Sequence, residues 1–133
     1  MLHPHQIKLV ANPETGISMQ QLVHDTLRMR PDRVIVGEVR TEEETHALFE
    51  ALSAGQAKGT YATFHARTAK EALHRLHSLG IPPYELDSVD LLLVLRRQSA
   101  YEKGKQKWNE TRRVTEIVEI IEENARPLFE WNT

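Results

Sequence analysis

The amino-acid sequence predicts an α/β protein. Apolar, β-branched runs alternate with amphipathic segments along the first hundred residues, and two of those segments open with the same Thr-x-x-Glu spacing. After Arg97 the texture changes, and the remaining stretches read as antiparallel strands. At 133 residues, 40% hydrophobic and 27% charged, the chain suits one packed domain and excludes tandem domains, a disordered chain and a coiled-coil rod.

Taken in order, Ile7 to Val10 is a short apolar strand candidate, followed by a turn through Asn12, Pro13 and Gly16. Ser18 caps a helix whose apolar positions Met19, Leu22, Val23 and Leu27 share a face, and Pro31 forces the exit by pushing Arg30 out of helical conformation. Arg33 to Val39 is nearly continuous in apolar character, as in a parallel strand buried on both faces. Thr41 with Glu44, and Thr68 with Glu71, start helices that end at Gly55 and Gly80. Between them Thr60 to His65 reads as a strand running into a loop. Pro82 and Pro83 turn the chain into a short helix through Ser88, and Leu91 to Leu95 is a further apolar strand. Gln98 to Glu110 lacks a core pattern, whereas Val114 to Ile121 and Leu128 to Trp131 form strands of an expected hairpin.

Composition narrows the chemistry. The absence of cysteine removes disulfides, thiolate metal sites and cysteine nucleophiles, and suits a reducing compartment. A net charge of −2 gives no whole-molecule attraction to polyanions, so any such contact needs a local patch. No apolar run is long enough to span a bilayer, and the polar start does not resemble a secretory leader.

The stretch LRMRPDRVIVGEVR, Leu27 to Arg40, carries the most information. A strand ending in Glu38 and then Arg40 delivers both to the edge where open α/β sheets bind ligands. Glu38 could orient or deprotonate a water, with Arg28, Arg30 and Arg40 neutralising a transferring phosphoryl group. Equally, Glu38 and Arg40 could simply pair at a sheet edge. A second strand, within GQAKGTYATFHA, ends in Thr63 and His65; the histidine could hydrogen-bond phosphate oxygens or merely cap its loop.

These motifs resemble the type II and type IV secretion ATPase superfamily. RPDRVIVGEVR is similar to its Walker B box, GTYATFHA to its His box, and ISMQQLVHDTLRMRPDR to the helix before the Walker B strand; the likeness covers about residues 7 to 97. The tail VTEIVEI with PLFEW looks most like archaeal members. The resemblance implies a partial RecA-like core with a mostly parallel sheet and helices on both faces, plus an antiparallel C-terminal hairpin. Residues 1–97 would be the C-terminal portion of that core, and 98–133 a basic loop and strands of the same domain. It also implies Glu38 and His65 as catalytic residues, Arg28, Arg30 and Arg40 as phosphate or intersubunit contacts, and Gly37 and Thr63 as supporting positions. Gly37 stands where many P-loop enzymes place a magnesium-binding aspartate, so no direct metal ligand is expected.

The implied parent is a hexameric ATPase using ATP and Mg²⁺ at the cytoplasmic face of a membrane, with neighbouring subunits and an inner-membrane platform protein as partners and no nucleic acid. The GxxxxGK[ST] loop is absent from the 133 residues, as is the family's acidic Asp box, and the first His-box histidine is replaced by Gln56. This chain alone is therefore expected to bind no nucleotide and to be inactive. The alternatives are a non-catalytic assembly module of the same fold and, further off, a RecA-class nucleic-acid translocase. Lys103, Lys105, Lys107, Trp108, Arg112 and Arg113 form a basic cluster that reads first as a solvated hairpin tip, with lipid head groups, nucleic acid or an acidic protein face as other readings. His3 and His5 lack a third ligand, and His46, His74 and His77 read as helix-surface residues.

Overall fold

A computed structural model describes residues 5–55, 57–102, 104 and 107–131. Helix α1 spans Met19–Leu27, strand β1 Arg33–Val39, helix α2 Glu42–Ser53, strand β2 Gly59–Phe64 and helix α3 Ala69–Ser78. A 3-10 segment at Pro83–Ser88 leads into β3 (Leu91–Glu102), β4 (Lys107–Ile121) and β5 (Asn124–Glu130). The chain forms two compact units, Met1–Thr63 and Phe64–Thr133.

In the first unit, β1 and β2 form a two-stranded sheet. The Lys58 N–H donates to the Asp32 carbonyl and the Thr63 hydroxyl to the Gly37 carbonyl. The offset between partners is the same at both ends, so the strands run parallel, which requires a crossover, and α2 provides it. The expected helix starts are present. Ser18 Oγ accepts the Gln21 N–H at 3.1 Å, and the Thr41–Glu44 capping box is complete. Glu44 Oε2 accepts from both Arg40 N–H at 2.8 Å and Thr41 N–H at 3.2 Å, satisfying donors that no helical carbonyl can reach. Arg30 takes φ 51° just before Pro31, so the chain leaves α1 through a left-handed residue.

The core of this unit contains Val23, Leu27, Val34, Val36, Val39, Ala47, Phe49 and Ala51. Thr45 is buried among them at no polar cost, because its hydroxyl donates to the Thr41 carbonyl at 2.6 Å. Strand β1 departs from the expectation of burial on both faces: Val34 and Val36 are buried, but Ile35 is 77% exposed. Ile35 shares its open face with Tyr61, which the strand register sets beside it and which is 56% exposed. Ile7 to Val10 form no strand and are exposed, because no neighbouring strand among the described residues offers them a ladder. What the sequence gives there is an Asn12–Ile17 bridge closing the predicted turn, with Gly16 at φ 75°.

In the second unit, α3 packs on β3 and β4, and the 3-10 segment on β4. Ala69, Ala72, Leu76, Ile81, Leu86, Val94, Val118 and Ile120 make the core. Thr68 caps α3 as expected, but Glu71 bonds the Arg67 N–H rather than completing a box, and Glu116 of β4 accepts the Ala69 N–H at 2.8 Å. The sheet order is β3-β4-β5, antiparallel throughout. Among the described residues parallel pairing is confined to β1 and β2, and Leu91 to Leu95, expected as an apolar strand, is the first part of a longer antiparallel β3 that continues through Arg97 and Gln98, its ladder to β4 shifting register between Val94 and Leu95. The missing core pattern of residues 98–110 has a simple cause: apart from half-buried Gln98, the residues of this arm whose burial is described are exposed, so neither alternation nor an apolar run is required of them. Strands β4 and β5 meet at a two-residue turn in which Glu122 and Glu123 both have positive φ, 49° and 65°.

Two substitutions test this account. Phe49→Ala, at a side chain 1% exposed, should cost about 3–5 kcal/mol in denaturant unfolding, and Thr41→Ala about 1 kcal/mol. Indistinguishable midpoints for the two would contradict the assigned core.

Candidate active site

The C-terminal end of β1 presents Glu38, part-buried, and Arg40, exposed, two residues apart on one strand edge. Their side chains form an ion pair and hydrogen bond, with side-chain exposures of 72% for Arg40 and 25% for Glu38. The pairing that sequence offered as the structural alternative is therefore present. It leaves the carboxylate fixed in place by a cation, and the Arg40 pKa is raised first by the hydrogen bond to Glu38 and then by the charge of Glu38. The Arg40 backbone is itself anchored by Glu44, so the capping box of α2 sets where the guanidinium begins.

Beside this edge, Thr63 donates its hydroxyl to the Gly37 carbonyl, joining the ends of β1 and β2. A Cβ built at Gly37 would meet nothing within 4 Å, so the face at this position is open. Glu38, Arg40, Gly37 and Thr63 are thus brought together. Arg28 and Arg30 are not. Arg28 is the C-cap of α1 and both precede β1, whose first residue lies about 17 Å along the strand from Glu38 at ~3.3 Å per residue.

His65 follows β2 and belongs to the second unit, where it is exposed. Its carbonyl accepts from the Arg75 guanidinium, which also lies over the Phe64 ring at 5.0 Å from its centre. Arg75 fixes the backbone on either side of the β2 exit, a role that sequence reading missed. Nothing in an amphipathic helix distinguishes one inward arginine from a solvated one. Sequence reading also missed the ion pair of Asp32 with Lys58, 2.8 Å, at the opposite end of the parallel pair. Gln56, Lys103, Lys105 and His3 lie outside the described residues. Among the described residues no group of three or more His, Cys, Asp or Glu could hold a metal ion.

The comparisons with known proteins agree with the family resemblance. The Type II/IV secretion system protein family matches residues 1–126, and the chain belongs to it. An uncharacterized protein of Methanocaldococcus jannaschii is 34% identical over 128 residues, spanning 90% of this chain and 44% of its own length. The type IV pilus assembly ATPase PilB of Pseudomonas aeruginosa is 34% identical over 86 residues, 64% of this chain and 15% of PilB. The Legionella pneumophila ATPase DotB superposes with a TM-score of 0.59 at 22% identity, covering 80% of this chain and 29% of DotB, a likeness of fold. The chain spans less than half the length of the curated relatives it matches.

The open space at Gly37 makes a direct prediction. Gly37→Ala should change the unfolding free energy of this chain by less than about 0.5 kcal/mol. A loss of several times that, measured by urea denaturation, would mean that the face is occupied.

Proposed function

We propose that this chain is part of a secretion or pilus-assembly ATPase that couples ATP hydrolysis to protein export or filament assembly. Residues 1–97 are read as the C-terminal portion of the RecA-like core, with its Walker B strand and His box, and residues 98–133 as strands of the same domain. The observation that carries the reading is the position of Glu38. It stands at the C-terminal end of a parallel strand, held by Arg40, with the end of the neighbouring strand tied to it through Thr63. That edge is where ligands bind in open α/β sheets. Family membership and the names of PilB and DotB support the same reading.

The residues present do not by themselves fit a nucleotide. The GxxxxGK[ST] loop is not among the 133 residues, and the described carboxylates form no metal cluster. No step through ATP or Mg²⁺ is therefore assigned to this chain alone. In a complete assembly that supplies the phosphate loop, Glu38 would be the group placed to orient a water, and Arg40 would limit the rotamers that Glu38 can sample. His65 is read as a polar contact on the phosphate side. Arg28 and Arg30, away from Glu38 in their own subunit, are read as contacts to a neighbouring one. The assembly is a hexamer at the cytoplasmic face of the membrane, working against an inner-membrane platform protein.

The chain alone should release no phosphate from ATP, and steady turnover abolished by Glu38→Gln would overturn that. In a chimera whose phosphate loop comes from a full-length relative, Glu38→Gln should lower hydrolysis by at least about 100-fold and leave nucleotide affinity nearly unchanged. Equal loss of binding and turnover would make Glu38 a structural residue.

A further inference from the structure

The distal half of the β3–β4 hairpin concentrates charge in a way the ATPase reading does not use. Residues 96–113 contain seven Lys or Arg against two Glu, +5 in a chain whose total is −2. Four of the cations face one another directly: Arg96 is the cross-strand partner of Arg113, and Arg97 of Arg112. Like charges in opposed positions destabilise a ladder, and two such rows in succession are a cost that needs an offset. The chain offers a partial one. Arg97 reaches Glu110 at 3.4 Å and Arg113 stacks on Trp131 at 4.9 Å, but among the described residues Arg96 and Arg112 have no carboxylate. All four are exposed.

Strand periodicity sets Arg96 and Arg113 on one side of the arm and Arg97 and Arg112 on the other. No flat partner surface can neutralise both sides together. Four residues further out, about 14 Å along the strand, Tyr101 opposes Trp108 on the side of Arg97. The two rings pack against each other, with centroids 5.4 Å apart, yet stay 47% and 66% exposed. Each ring carries an apolar body and one polar edge, the character of side chains that settle at a water–hydrocarbon boundary. Single-stranded nucleic acid needs successive stacking platforms, and this arm has one closed pair.

We propose that the hairpin arm docks on an anionic lipid surface, Tyr101 and Trp108 entering the headgroup layer while the four arginines bind phosphate groups around both sides of the arm. A fluid headgroup layer surrounds the arm, as a folded protein face does not, and supplies the anions that relieve the opposed arginines.

The test uses the 133-residue chain carrying Trp131→Phe, which leaves Trp108 as the sole tryptophan reporter. Vesicles of about one-third phosphatidylglycerol in phosphatidylcholine should blue-shift the Trp108 emission and co-sediment with the protein, weakening as salt rises, whereas pure phosphatidylcholine should do neither. Replacing all four arginines by glutamine should lower partitioning by about fivefold per charge. The all-lysine variant should retain most of the binding, which separates lost charge from lost folding. Trp108→Ala, followed by sedimentation, should weaken binding without changing its salt dependence. Several results would overturn the proposal: no association with anionic vesicles, equal association with phosphatidylcholine, or failure of a folded all-lysine variant. Tighter binding of a single-stranded oligonucleotide at the same salt, lost in the same glutamine variant, would assign the arm to nucleic acid instead.

Discussion

The parallel pairing of β1 with β2 is the constraint on which the candidate site depends. Parallel strands cannot be joined by a tight turn, so the chain must leave β1, cross through a helix and return. The Lys58 and Thr63 bonds to the carbonyls of Asp32 and Gly37 fix the register at the two ends, and a slip of one residue would send Glu38 and Thr63 to the wrong faces. The crossover helix is tied to the same edge. Glu44 in its first turn holds the backbone of Arg40, and Arg40 holds Glu38. Helix start, strand end and candidate catalytic carboxylate are one connected set of hydrogen bonds.

Much of this was legible in sequence because the signals are local. Thr41 with Glu44, Ser18, Gly55 and Pro31 act within one turn of themselves, and the elements start and stop where those residues direct. Burial was less legible. The apolar run of β1 reads as a strand covered twice, yet Ile35 and Tyr61 are open, since hydropathy records what a face could cover and not what is present to cover it. Register was not legible at all for the long hairpin, where exposed residues carry no alternation and only the pairing reveals that arginines oppose arginines. Arg75 stayed hidden for a related reason: its partners are a backbone carbonyl and a ring, neither of which leaves a charge pattern in sequence.

Three sets of arginines show how one residue type serves different physics. Arg40 is exposed but committed to a single carboxylate, so its charge is local and its geometry fixed. Arg96 and Arg112 sit opposite other arginines, so their field adds to that of their neighbours instead of being cancelled. Arg28 and Arg30 stand at the far end of β1, exposed and separated from the Glu38 edge by the length of the strand. Spacing in sequence made all three near Glu38 look equivalent, and three dimensions sort them by strand end.

The turn between β4 and β5 bears on the order in which the second unit assembles. Glu122 and Glu123 both occupy the left-handed region, where a side chain costs roughly 1–2 kcal/mol per residue and where Asn-Gly would be favoured. The Glu123 N–H is held by the Asp87 carboxylate at 2.8 Å, from the 3-10 segment that precedes β3. A turn that needs an external clamp is a poor nucleus, because the clamp must arrive first. Strand β5 therefore joins late, after the 3-10 segment has docked on β4, and side chains of β5 should have φ-values near zero in folding kinetics. Values near one would mean that the strained turn forms unaided.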